Sequence, residues 1–162
     1  MTPEQHLVDA VLRAWKSNVD RVEAAFSALT DDQLETRVAP GRNRLLYLLG
    51  HLAAVHDRML PLLGVGERRH PELDATFLLE ADSGSGSPIA PSVLKEILVD
   101  ADRALWDAFS KWTPAEWLSK HTSVSDEDFA KEPHRNRMSV LLSRNSHLAF
   151  HHGQIVLTES RK

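Results

Sequence analysis

Along the first thirty residues Val8, Leu12, Trp15, Val19, Val22, Phe26 and Leu29 recur at alternating steps of four and three, with polar residues between them. A repeat averaging about 3.5 residues lays an apolar stripe along a helix and favours neighbours crossing at about +20°, as in helical bundles. Thr2-Pro3-Glu4-Gln5 gives the start signal, a capping threonine with a glutamine placed to reach back, so the first helix is predicted over about 3–30. A second stripe, Leu45, Leu48, Leu52, Val55, Met59 and Leu62, predicts a helix over about 43–63, its last turn disturbed by Pro61 and its end marked by Gly64. Leu94, Leu98, Ala101, Leu105, Ala108 and Trp112 predict a third over about 91–112, and Thr113-Pro114-Ala115-Glu116 caps a further short turn ending near Leu118. The fourth runs over about 137–160. No segment alternates with the two-residue period of a strand. The pattern therefore predicts an all-α fold, one four-helix-bundle domain spanning residues 1–162 with a long crossover between helices two and three.

That crossover, about 65–91, contains Asp82-Ser83-Gly84-Ser85-Gly86-Ser87-Pro88, a flexible composition without periodicity. A connection of this length either crosses the bundle or covers a site as a lid. The second long connection, about 119–136, is polar and reads as loop, with Pro133 marking the approach to helix four.

Composition narrows the function classes. With 162 residues and 42% apolar content the chain can bury one core. Nineteen basic against 23 acidic residues, no dense Lys/Arg block and 6% aromatics argue against a nucleic-acid partner. No apolar run reaches the roughly 18 residues of a membrane span, and the N-terminus lacks the order of a secretory signal, so no membrane role and a cytoplasmic location are expected. There is no cysteine, so thiol chemistry here would need a thiol brought by a substrate.

The chemistry concentrates on histidine. His147 and His151 lie four apart on the fourth helix, hence on one face, between Leu141, Leu148 and Ile155 on one flank and Phe150 and Leu157 on the other. The pair is thus expected to face the interior, where one ion could bridge both rings. An HxxxH pair alone is a weak pattern, and a lone histidine is usually just hydrogen-bonded. A third ligand candidate is His51, on the inward stripe of helix two, whereas His56 falls about 140° away, on the outer or lateral side, and is expected to be a surface or packing histidine. His6, His70, His121 and His134 lie near an end or in loops. Leu148 stands where a metalloprotease helix carries its catalytic Glu, and there is no Gly-rich phosphate loop, serine elbow or paired EExxH carboxylate set. A mononuclear three-histidine centre remains.

Leu49-Gly50-His51-Leu52-Ala53 and His147-x3-His151-x-Gly153-Gln154 resemble the DinB/YfiT-like superfamily of small bacterial four-helix-bundle proteins, regarded as metal-dependent enzymes. The family pattern ends His-Arg-Gly-Gln, and here His152 replaces the Arg, one step off the ligand face. The resemblance implies a metal triad on His51, His147 and His151, and helices two and four running antiparallel. Arg58 and Arg144 would then approach one end of the site, and Arg44 and Gln154 the other. Two guanidiniums beside a cation either hold a carboxylate-bearing substrate between them or simply reach solvent. Arg58, Arg144 and Gln154 are the candidate catalytic residues. Characterised relatives include mycothiol-dependent isomerases and bacillithiol transferases. The resemblance therefore implies one divalent ion, Zn or Ni, and transfer of a low-molecular-weight thiol to a small-molecule electrophile. Metal-assisted hydrolysis, or a non-catalytic stress-associated binding module with a structural metal or none, are the alternatives. Met138, Leu142, Ala149 and Val156 form a second apolar line on helix four, which together with the resemblance suggests a homodimer.

Overall fold

A computed structural model describes residues 1–159, Glu159 by its backbone alone. The described residues form no strand; they fold into α1 (Pro3–Ala28), α2 (Asp31–Leu34), α3 (Leu45–Leu62), α4 (Pro91–Phe109), α5 (Pro114–Trp117), α6 (Asp126–Lys131) and α7 (Arg137–Glu159), with a π-helical turn at Ala75–Leu79. The fold is all-α, and α1, α3, α4 and α7 are the four long helices. Position 160, expected in the last of them, lies outside the described residues.

Contacts at the helix ends give the directions. Lys95 Nζ donates to the Leu29 carbonyl at 2.8 Å and Lys16 lies over the Trp106 ring, so α1 and α4 are antiparallel. The Thr122 N–H donates to the Leu62 carbonyl and Gly64 lies beside the Arg137 side chain, which puts the end of α3 next to the start of α7. Leu48, near the other end of α3, shares a cavity with His151 and Gln154, so α3 and α7 are antiparallel as expected. Asn18 donates to Asn145 at 2.8 Å across the α1–α7 seam. Two helices therefore point up and two down, with α3 and α4 parallel neighbours. Parallel neighbours cannot be joined by a tight turn, and this is why the chain needs the long return from 63 to 90.

Trp15, Phe26, Leu49, Leu52, Leu60, Phe109 and Trp117 are among the fully buried side chains of the core. The closest packing joins α3 to α4 and α1 to α7, whereas α3 and α7 touch little. The histidines lie along that looser seam.

Several boundaries differ from the sequence expectation. The first helix stops at Ala28 rather than 30, because Thr30 and Gln33 form a second capping box that starts α2. The third ends at Phe109 rather than 112, and Trp112 folds back against Phe109 and Trp117 with ring centroids 5.4 and 4.8 Å apart. The stretch 119–136 is not all loop: Ser125 caps α6, whose first turn carries Asp126, Glu127 and Asp128 at the positive end of the helix. The Gly/Ser-rich part of the crossover is pinned, since Arg44 is only 4% exposed and binds Asp82 at 2.6 Å and Glu35 at 2.7 Å.

Candidate metal centre

His51 projects from α3, and His147 and His151 from one face of α7. Their Nε2 atoms meet: His147 Nε2 stands 3.0 Å from that of His51 and 3.0 Å from that of His151. The far side of two rings is fixed by acceptors. His51 Nδ1 donates to the Phe77 carbonyl at 3.0 Å, and His151 Nδ1 donates to Gln154 Oε1 at 2.7 Å. Each of these imidazoles, when neutral, has spent its proton on Nδ1 and presents a lone pair at Nε2.

His147 cannot satisfy both neighbours. With its proton on Nε2 it donates to one lone pair and faces the other, and with the proton on Nδ1 three lone pairs converge unshielded. Its Nδ1 is buried with no hydrogen-bond partner in either case. Burial is the largest cause lowering the basicity of all three rings, and His151 and His51 add to it at His147, taking that ring down to about 3, so all three stay neutral at pH 7. Neutral imidazoles are the form that ligates. Nitrogens each about 2.0–2.1 Å from one ion stand roughly 3.0–3.4 Å apart, so the observed spacing fits a shared cation. The three are the only His, Cys, Asp or Glu group of that kind among the described residues.

The surroundings explain the motif glycine on α3. A Cβ on Gly50 would lie 2.4 Å from the Phe77 ring, so glycine alone lets the π-helical turn press against α3 and aim the Phe77 carbonyl at His51. On the other side a cavity of about 720 Å³ opens between Val38, Arg42, Asn43, Leu48, His151 and Gln154. Phe150 and Leu157 also line it, and they are 63% and 64% exposed. The expected interior apolar arc is thus closed only on the Leu141, Leu148 and Ile155 side, and the other flank opens onto His151.

The remaining candidates separate. Gln154 touches the triad through His151. Arg58 does not join Arg144: it is exposed and shares Asp74 with Arg68, whose guanidinium holds that carboxyl down at about 2. Arg44 is consumed by Asp82 and Glu35 and does not reach toward Gln154 as a free charge. Arg144 is half-buried, and its charge contributes to keeping His51 and His147 neutral. His152 is half-buried beside the ligand face.

His56, expected as a surface or a packing histidine, is completely buried, which leaves the packing alternative and excludes the surface one. The 140° offset turns it from α7 toward α4 and α1, where its Nδ1 meets Asp102 at 2.5 Å and its ring lies 5.2 Å from Trp15. In a bundle both of those directions are interior. The Phe77 carbonyl was beyond the reach of sequence reasoning, because a backbone acceptor in a loop carries no residue-type signal; Gly50 beside His51 was the one visible hint of a close approach.

No helix among the described residues is long and apolar enough to cross a membrane. A search of curated proteins finds no match to the chain. The sequence profile of the DinB superfamily matches residues 14–155, a span containing all three converging histidines, and the chain belongs to that superfamily.

Proposed function

We propose that this protein is a metal-dependent enzyme that transfers a low-molecular-weight thiol to a small electrophile, with His51, His147 and His151 holding one divalent cation. The observation that carries the reading is the proton shortage at the triad: three lone-pair positions meet, and one proton cannot join them. Zinc or nickel suits three imidazoles, and either would supply the positive charge that acidifies a thiol or water and polarises an electrophile.

The chain's own residues do the positioning. Phe77 and Gln154 hold two rings with their Nε2 atoms inward, and burial keeps the rings neutral. The cavity of about 720 Å³ has the size of a metabolite pocket and offers Val38, Leu48 and Phe150 to apolar parts, Arg42 and Asn43 to polar ones. In the reaction the thiol gives its proton to solvent, a sulfur–carbon bond forms, and the leaving group departs with the electron pair of its broken bond to carbon. The chain has no cysteine, so the sulfur comes from the second substrate.

The test is turnover of monobromobimane and 1-chloro-2,4-dinitrobenzene by zinc- or nickel-loaded protein with cysteine, glutathione, coenzyme A, bacillithiol and mycothiol in turn. Metal-dependent consumption with one thiol and its loss in His51→Ala support the proposal. Metal-dependent breakdown of ester or amide substrates without thiol would replace it with hydrolysis. Stoichiometric metal without turnover of any substrate would make the protein a binding module.

A further inference from the structure

A second cavity lies where α7 begins, and the lining residue nearest the triad along that helix is Arg144. The loop carrying His121 and the residues before α7 lie beside its first two turns and form an open cleft of about 330 Å³. Arg144, Arg135, His121, His134, Ser139 and Ser143 make the polar wall, and no carboxylate lines it. His121 keeps its Nδ1 buried without a hydrogen-bond partner. Asn136 caps the start of α7 by accepting from the Ser139 N–H at 2.9 Å, so the positive end of a long helix also faces this space.

Among the described residues these charges are little neutralised. Arg135 has only an exposed pair with Glu132 at 3.2 Å, which is worth little. Arg144 is half-buried and has no hydrogen-bond or ion-pair partner among the described residues. Arg44, Arg58 and Arg68, by contrast, each meet a carboxylate. A guanidinium taken partly out of water with no counter-charge gives up solvation for no return, and an anion restores the balance. Arg144 precedes His147 by three residues, about 4.5 Å along the helix axis, and its side chain shares that face.

We propose that this cavity binds the anionic group, a carboxylate or phosphate, of the substrate whose other end reacts at the histidine triad. The role rests on the function proposed above, but the anion site itself needs no metal. Arg144 supplies a two-pronged contact, Arg135 and the α7 terminus add long-range attraction, and Ser139 and Ser143 offer hydroxyl donors. The chemistry selects small metabolites bearing an acid group a few ångströms from their electrophilic carbon.

The experiment titrates inorganic phosphate and, separately, succinate into metal-free protein and follows backbone amide and imidazole resonances. Saturable shifts at Ser139, Ser143, Arg144 and His121 are expected with one or both anions. Arg144→Gln should weaken that binding by at least about tenfold, the scale of one lost charge-assisted bond, and Arg144→Lys by less. Arg103→Gln, on an exposed surface pair with Asp100, should leave it unchanged. No saturable response to either anion, or equal affinity in Arg144→Gln, overturns the proposal. Metal content is measured on the same samples. Anion binding without metal uptake by the wild type would retire the metal reading and keep this site; metal uptake without anion binding would do the reverse.

Discussion

His51 and His56 leave α3 five residues apart, and their ring nitrogens meet opposite kinds of partner. At His51 nitrogen faces nitrogen: three imidazoles converge, the outer positions of two are held by the Phe77 carbonyl and Gln154, and no carboxylate joins them. At His56 nitrogen faces oxygen: its Nδ1 meets Asp102 at 2.5 Å, and Asp102 in turn shares a hydrogen bond with Glu23 from α1. At the Nδ1 side of the second cluster donor answers acceptor, which ties α1, α3 and α4 together, although His56 Nε2 is itself buried without a hydrogen-bond partner. At the first cluster three Nε2 atoms converge, and the single proton His147 could place there cannot join all of them. Burial is common to both, so burial does not distinguish a ligand from a cross-link. The partner atoms do.

The strongest way to break this comparison is to truncate each histidine in turn. His147→Ala is expected to lower zinc or nickel affinity by more than about 100-fold, beyond the 10–100-fold typical of losing an outer-shell partner, while thermal stability of the metal-free protein changes little. His56→Ala should do the opposite, leaving metal stoichiometry intact and lowering unfolding free energy by about 2–4 kcal/mol through a cavity and a buried Asp102 carboxylate left with Glu23 but without its imidazole partner. Elemental analysis and urea denaturation of the two variants read both arms. Equal metal loss in both would mean that the clusters are one functional unit.

A smaller effect tests how the triad is held. Gly50→Ala puts a methyl group 2.4 Å from the Phe77 ring, so the π-helical turn must move and carry its carbonyl away from His51 Nδ1. Metal affinity, measured by chelator competition, is expected to fall about tenfold, with a stability cost of about 1–3 kcal/mol. A lost stability with unchanged affinity would show that the Phe77 carbonyl packs beside His51 without setting its orientation.

The four long helices were legible because each is amphipathic over several turns, and His51, His147 and His151 could be chosen by helical phase, since phase survives in any straight helix. His56 shows the limit of the same argument: phase gives a direction, and only the topology says that α4 and α1 fill it. The breaks at Thr30 and Ser125 were written in capping residues but lost beside stronger neighbouring signals, one within a long apolar stripe and the other within a polar loop. Asp82 looked like part of a flexible linker by composition. Its pairing with Arg44 joins positions 38 residues apart, which no local window reveals. The cavity at Arg144 likewise draws on α3, two loops and α7.

The smallest expected effect concerns the proton held at the second cluster. Burial, followed by the Asp102 carboxylate and its hydrogen bond and then by Asp20, pushes Glu23 up to about 7, and only Lys16 opposes this. Arg103 lines the same cleft from α4. The folded state therefore keeps a proton that the unfolded chain releases above its ordinary 4.5, so folding binds protons between 4.5 and about 7. Stability must fall as pH rises through that window and level off above it. Glu23→Gln keeps an N–H to offer Asp102 at every pH and has no proton to lose. Its melting temperature relative to wild type should therefore climb between pH 4.5 and 7 and then stay constant, by about 2–4 °C once the partial exposure of the site is allowed for. The triad should not register the change, so metal affinity at fixed pH is expected to match wild type. A metal affinity that follows the Glu23 substitution would mean that a proton at the cross-link is felt at the ligands, and the two clusters on α3 would then be chemically coupled rather than merely adjacent.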